Sequence, residues 1–146
     1  MKTLPIVDPA QPDAAVRIDA ACRDVGFFAV PLSAQLSEQR DRLIALAAEF
    51  FALPEEHKAV VAMVHGGPAW RGWFPLGGEL TSGVPDGKEG YYFGAELPPD
   101  PRPMHGPNMW PSHPAALRSA VLAWMTAMED LGQQLLALMA QGLGLA

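Results

Sequence analysis

The segment from Trp70 to Gly94 reads WRGWFPLGGELTSGVPDGKEGYYFG. Its glycines and prolines divide it into turns, so it cannot follow one helical or strand period along its length. Its tryptophans, tyrosines and phenylalanines supply more apolar mass than a solvated linker carries. A segment with both properties must pack against other elements, and we expect much of that partner surface to lie outside this chain.

The sequence on either side of this segment favours helices. Apolar residues recur at helical spacing on both sides, most regularly near the C-terminal end. The last predicted helix is apolar on most of its circumference, so we expect it to be buried on most of it. The predicted helices cover residues 13–25, 36–53, 54–63 and 114–143.

Two of these helices carry candidate capping residues at their N-termini. Asp13 can cap the first helix, on which Val16, Ala20 and Ala21 are expected to share the buried face. Ser37 is the predicted cap of the second helix.

Short strands complete the predicted secondary structure. They are expected over 4–7 and 27–30, the latter buried, and around Trp73 and over 91–93. The predicted fold class is α+β: a helix-rich region of three to four helices, few short strands and one long Gly/Pro/aromatic loop.

Composition limits the classes of partner and compartment. The chain has 146 residues, a net charge of −6 and a pI of about 5.0, with no basic patch. Nucleic acids and membranes are therefore not expected as partners. The single cysteine, Cys22, suits a reducing compartment, and the N-terminus lacks the apolar core of a secretion signal, so we expect a cytoplasmic protein.

No catalytic or metal-binding residue is predicted within the chain. The spacing of the histidines matches none of the motifs that hold metals in helices or strands. Asp86 and Glu89 flank Lys88, but a turn with a local ion pair explains them better than an acid–base pair. Cys22 is predicted to be a small buried apolar group. The four histidines are His57, His65, His105 and His113.

Six stretches of sequence together resemble one known family. Each is weakly specific alone, but their order and spacing are similar to the N-terminal region of isopenicillin N synthase-like non-haem iron oxygenases, including bacterial members of the ethylene-forming type. The resemblance covers essentially all of the chain. The stretches are LPIVD at 4–8, ACRDVGFF at 21–28, EFFALPEEHK at 49–58, RGW at 71–73, GELTSGVPDGKE at 78–89 and HGPNMWP at 105–111.

The resemblance implies a function for a larger enzyme. Residues 1–146 would be the N-terminal domain, which in this family packs on a C-terminal double-stranded β-helix that carries the iron. The chain contains no His-x-Asp motif, so that β-helix is expected to be its missing partner. The complete enzyme would oxidise a small-molecule substrate with Fe(II) and 2-oxoglutarate, while this part would support the barrel and line the mouth of its active site.

Four residues are predicted to lie next to the substrate. Glu79, Leu80 and Thr81 form a partly polar turn bracketed by glycines, which allow close backbone approach to a ligand. Arg71 is a candidate cation for a substrate carboxylate. A solvated hairpin tip without a ligand remains an alternative for the turn. For the whole chain, the alternatives are a stand-alone binding or regulatory module and a subunit that pairs with a separately encoded catalytic half.

Overall fold

The computed structural model describes residues 3–145, which form four α-helices and four short strands. The helices are α1 (Ala14–Asp24), α2 (Ala34–Phe51), α3 (Glu55–Ala59) and α4 (Leu117–Gly142), with 3₁₀ turns at Met63–His65 and Gly67–Ala69. The strands are β1 (Gly72–Phe74), β2 (Leu80–Thr81), β3 (Val84–Pro85) and β4 (Gly90–Tyr92). This confirms the predicted helix number and the scarcity of strands. Two compact units can be distinguished, residues 43–119 and residues 3–42 with 120–145.

The core of the terminal unit is small and helical. Val7, Ala14 and Ile18 are almost fully buried, and Cys22, Phe28, Leu135 and Leu138 pack against them. The predicted buried face of the first helix was wrong apart from Ala21, because Val16 and Ala20 are exposed. Residues 14, 18 and 21 follow i, i+4, i+7 spacing, and position 16 lies about 200° around the helix from position 14.

The two predicted N-terminal strands reduce to one parallel bridge between Ile6 and Ala29. The Val7 N–H donates to Ala29 O at 2.9 Å and the Ala29 N–H donates to Pro5 O at 2.9 Å. Phe27 is exposed, so the predicted burial of 27–30 was wrong at its first residue.

The helix boundaries differ from the predicted ones where capping differs. Ser33, not Ser37, caps α2, because its Oγ accepts the N–H of Leu36 at 3.2 Å. Asp13 occupies the N-cap position of α1, but its side chain makes no capping hydrogen bond. The third helix ends at Ala59 rather than continuing to residue 63.

The last helix is less buried than its composition suggested. It runs from Leu117 to Gly142 instead of 114–143. Leu117 and Val121 are buried, whereas Leu136 is exposed within residues 3–145. The expectation of burial on most of its circumference is therefore not met within the described structure.

Aromatic rings organise the central unit. The strands predicted near Trp73 and Tyr91 are confirmed as β1 and β4, which pair antiparallel with Trp73 opposite Tyr91. Ring centroids lie 4.8 Å apart for Phe50 and Tyr91, and 4.2 Å apart for Tyr91 and Phe93. The stack continues to Trp110, 5.0 Å from Phe93. The long Gly/Pro segment thus gains its order from ring packing.

Candidate functional site

A cavity of about 280 Å³ lies in the central unit, beside β4 and the segment that leads into β1. Two of the four residues predicted to lie next to a substrate contribute to its wall. Its lining residues are Trp70, Arg71, Glu79, Tyr92, Phe93 and Met104.

Arg71 is the buried cation of this cavity. The residue is only 7% exposed, and its Nη2 donates to Met104 O at 3.0 Å. Its Nε is buried and has no hydrogen-bond partner among the described residues. A buried donor without a partner costs free energy, but this nitrogen has almost no accessible surface and lies against Gly94, so it is not itself open to a ligand.

Gly94 provides the space that the guanidinium occupies. A Cβ atom placed on Gly94 would lie 2.0 Å from Arg71 Nη2 and 2.2 Å from its Cζ. Asn108 holds the Gly94 backbone through two hydrogen bonds. Its Oδ1 accepts the Gly94 N–H at 2.8 Å and its Nδ2 donates to Gly94 O at 2.8 Å. Because Asn108 is itself buried, this double clamp holds the backbone against the guanidinium.

Each oxygen of the Glu79 carboxylate has one partner. The carboxylate accepts a hydrogen bond from the Tyr92 hydroxyl and an ion-pair contact from Lys88 Nζ at 3.1 Å. The hydrogen bond from Tyr92, with that from Lys88, lowers the pKa of Glu79, and the same contact raises the pKa of Tyr92. The Tyr92 ring lies 5.2 Å from Phe74, which connects Glu79 to the sheet.

Leu80 and Thr81 lie on a hairpin next to the cavity but are not among its lining residues. β2 pairs antiparallel with β3, and the turn residues Ser82 and Gly83 have φ values of 53° and 81°. Leu80 is exposed, and Thr81 hydrogen-bonds to Asp86, which lowers the pKa of that carboxyl. The structure therefore brings Arg71 and Glu79 together at one cavity and places the other two predicted residues beside it.

Comparison with known proteins identifies the family. Residues 2–113 match a family described as the N-terminal region of the non-haem dioxygenase in morphine synthesis. The chain belongs to this family.

Individual relatives support the assignment to this dioxygenase N-terminal family. The chain is 35% identical over 142 residues to a Dictyostelium discoideum protein named as an iron/ascorbate oxidoreductase, covering 88% of this chain and 39% of that protein. It is 32% identical over 161 residues to the 2-oxoglutarate-dependent dioxygenase thnC of Trichoderma harzianum, covering 97% and 48%. The chain thus spans less than half the length of these two curated relatives.

A solved structure shows the same fold. A Caulobacter crescentus protein of the 2OG-Fe(II) oxygenase family superposes with a TM-score of 0.79 at 27% identity, over 99% of this chain and 50% of that protein. The resemblance inferred from the six sequence stretches is therefore confirmed.

Complete enzymes of this family depend on Fe(II) and 2-oxoglutarate, but the described residues do not fit an iron centre. Within residues 3–145 no three His, Cys, Asp or Glu side chains converge as a possible metal site. His113 instead pairs with Glu49 at 2.7 Å, and His105 Nδ1 lies 2.9 Å from Pro103 O. No residue of this dioxygenase N-terminal domain is therefore assigned a step in iron chemistry.

One further property of the helices concerns membranes. No helix within residues 3–145 combines the length and apolar character needed to cross a membrane.

The ion pair predicted at 86–89 is present, since Lys88 Nζ lies 3.3 Å from Asp86 Oδ2. Glu89 turns away from that pair and binds Lys58 at 2.7 Å.

Sequence reasoning missed four residues of the cavity. Trp70 carries no sequence signal beyond its place in the aromatic segment, and the pattern at Tyr92 and Phe93 predicts only a strand. Met104 lies in a proline-rich stretch without a local signal. Its backbone carbonyl, not its side chain, binds Arg71, and backbone acceptors leave no mark in a sequence.

Proposed function

We propose that this chain is the N-terminal part of a non-haem iron, 2-oxoglutarate-dependent oxygenase that acts on a small molecule. In this proposal it supports the catalytic β-helix and contributes Arg71 and Glu79 to the mouth of the active site. Leu80 and Thr81 would border the same mouth from the hairpin. The family membership and the shared fold support the reaction class.

One observation carries the assignment of the mouth: a buried arginine lines a cavity whose other lining residues are three aromatic residues, Met104 and Glu79. Ligand sites are mostly apolar pockets in which a few polar groups orient the ligand. A guanidinium suits a carboxylate because its planar set of donors matches both oxygens. This combination supports binding of an anionic group at Arg71.

The test uses the whole protein that carries this chain, loaded with Fe(II) and supplied with 2-oxoglutarate. Succinate formation is measured with a panel of small carboxylic acids and their amides. A subset of the acids should stimulate succinate formation, and Arg71→Gln should raise the half-saturating concentration of that subset by tenfold or more, as expected for loss of a hydrogen bond to a charged group. Arg23→Gln is the matched control, because Arg23 is an exposed residue of α1 that pairs with Asp19.

Three results would contradict all or part of the proposal. A whole protein that converts no 2-oxoglutarate would favour the stand-alone binding or regulatory module. Turnover that appears only after a separately encoded β-helix protein is added would favour the two-subunit arrangement. An unchanged response in Arg71→Gln would leave the reaction class intact and remove Arg71 from the mouth.

A further inference from the structure

Two strained backbone positions meet at the Arg71 cavity. Trp70 and Met104 have φ values of 52° and 65°, in the left-handed region that non-glycine residues rarely adopt. Both line the cavity. Residues held in such conformations cluster at ligand sites, where the surrounding structure maintains them.

Backbone hydrogen bonds hold both Trp70 and Met104 in these conformations. The Met104 N–H donates to Pro68 O at 2.8 Å, and Met104 O accepts from Arg71 at 3.0 Å. The Trp70 N–H donates to Gly67 O at 3.3 Å at the end of a 3₁₀ turn. Glycine or asparagine is the usual residue at such an end. The backbone conformation at position 70 therefore does not explain why a tryptophan occupies it.

Burial does not explain the tryptophan either. Trp70 is 61% exposed, whereas Trp73 in the adjacent strand is buried and donates its ring N–H to Glu89 at 2.7 Å. An indole that is exposed, strained and placed beside a buried cation is suited to cover a ligand. Met104, also exposed, offers a polarisable thioether that packs well against aromatic rings.

We propose that the cavity binds a planar aromatic carboxylate, with its carboxylate at the Arg71 guanidinium and its ring against the Trp70 indole. This inference rests on the proposed function, because it names the substrate class of the same cavity. Glu79 is the acidic residue among the described lining residues, and its two oxygens face the Tyr92 hydroxyl and Lys88, which lies outside the lining and also pairs with Asp86. The volume of about 280 Å³ lies just below the roughly 300 Å³ at which pockets for drug-sized ligands begin, which suits a ligand of one or two rings.

Direct binding of three matched probes to the whole protein that carries this chain tests the proposal. The probes are 3-phenylpropionate, its uncharged amide, and 3-cyclohexylpropionate, which keeps the charge but lacks a planar ring. Calorimetry should give a dissociation constant for 3-phenylpropionate below roughly 1 mM. The amide should bind on the order of tenfold more weakly, and the cyclohexyl compound about two- to tenfold more weakly.

Variants separate the two contacts. Trp70→Gly should abolish the preference for the phenyl over the cyclohexyl acid while keeping the preference for the acid over the amide, and it places glycine where φ favours it. Gly94→Ala should abolish the preference for the acid, because its Cβ displaces the guanidinium. Gly87→Ala is the matched control, since a Cβ there meets nothing within 4 Å, and it should keep both preferences. If Trp70→Gly fails to fold by circular dichroism, Trp70→Asn replaces it, because asparagine also tolerates this conformation.

Three outcomes would overturn the inference: no saturable binding of 3-phenylpropionate, an undiminished phenyl preference without the indole, or an undiminished acid preference in folded Gly94→Ala. These outcomes are independent of the proposed reaction. Aromatic acids that bind without any 2-oxoglutarate turnover by the whole protein would refute the proposed function alone. Turnover driven only by non-aromatic or uncharged compounds would refute this inference alone.

Discussion

Replacement of Glu89 by glutamine should measurably destabilise the central unit. One oxygen of Glu89, Oε2, accepts from Lys58 Nζ at 2.7 Å and from Trp73 Nε1 at 2.7 Å. Lys58 is buried and has one further acceptor, Phe51 O at 3.1 Å. Glutamine keeps the shape and one carbonyl oxygen but removes the charge that compensates the buried ammonium group.

The expected loss follows from the burial of the two partners. Breaking a fully buried ion pair by removing one partner costs about 3–5 kcal/mol. The Glu89 side chain is 28% exposed, so water can replace part of the lost interaction, and we expect a loss of about 2 kcal/mol. For a chain of this size that loss corresponds to a fall in Tm of roughly 4–8 °C.

Urea unfolding followed by tryptophan fluorescence and circular dichroism measures this loss. The slope of the unfolding free energy against urea concentration should stay constant, because the surface exposed on unfolding does not change. The urea concentration at the midpoint should fall. Asp41→Asn is the control: it removes the same charge from an exposed pair in which Arg40 lies 2.8 Å away, and its midpoint should not move. A midpoint for Glu89→Gln equal to that of the parent would refute the reasoning that Lys58 depends on this carboxylate.

Three further predictions concern pH, helix capping and glycines. Burial raises the pKa of Glu89, but the hydrogen bonds from Lys58 and Trp73 outweigh burial and lower this pKa from its usual 4.5. The stabilisation by Glu89 is therefore present above pH 4.5 and is lost as pH falls through the folded-state pKa. The urea midpoints of the parent and of Glu89→Gln should converge on acidification. Ser33→Ala should cost about 1 kcal/mol in urea unfolding, while Ser37→Ala should cost nothing, because Ser33 holds the cap. Gly132→Ala should raise stability by about 0.5–1 kcal/mol in open space on α4, whereas Gly90→Ala should lower it because its Cβ would lie 2.3 Å from a phenylalanine ring carbon.

Periodicity predicted the helices well and their faces less well. All four predicted helices exist, because each contains a run of residues with favourable helical spacing. The buried face of α1 could not be chosen from its composition, since Val16 and Ile18 are both apolar and only one faces the core. Capping showed the same limit: Ser33 and Ser37 are equally suitable in sequence, and the start of the helix decides between them.

The candidate site was half predictable for a different reason. Arg71 and Glu79 are charged residues in an aromatic segment, and that contrast is visible in a sequence. Their relation to Met104 is not, because it depends on a contact between residues 33 positions apart that uses a backbone carbonyl. Contacts of that kind follow from the packing of the aromatic stack and not from local pattern.

The glycine at position 94 connects these observations. It lies two residues beyond the end of β4, after Phe93, and any Cβ there would occupy the space of the Arg71 guanidinium. Asn108 binds both polar atoms of its backbone, and Glu96 accepts from Asn108 at 2.9 Å and from Trp110 at 3.0 Å. The side chain of Arg71 therefore packs against a backbone that Asn108 holds in place. A guanidinium restrained in this way loses little rotational freedom when it binds a carboxylate, so the architecture around Gly94 favours recognition of an anion at Arg71.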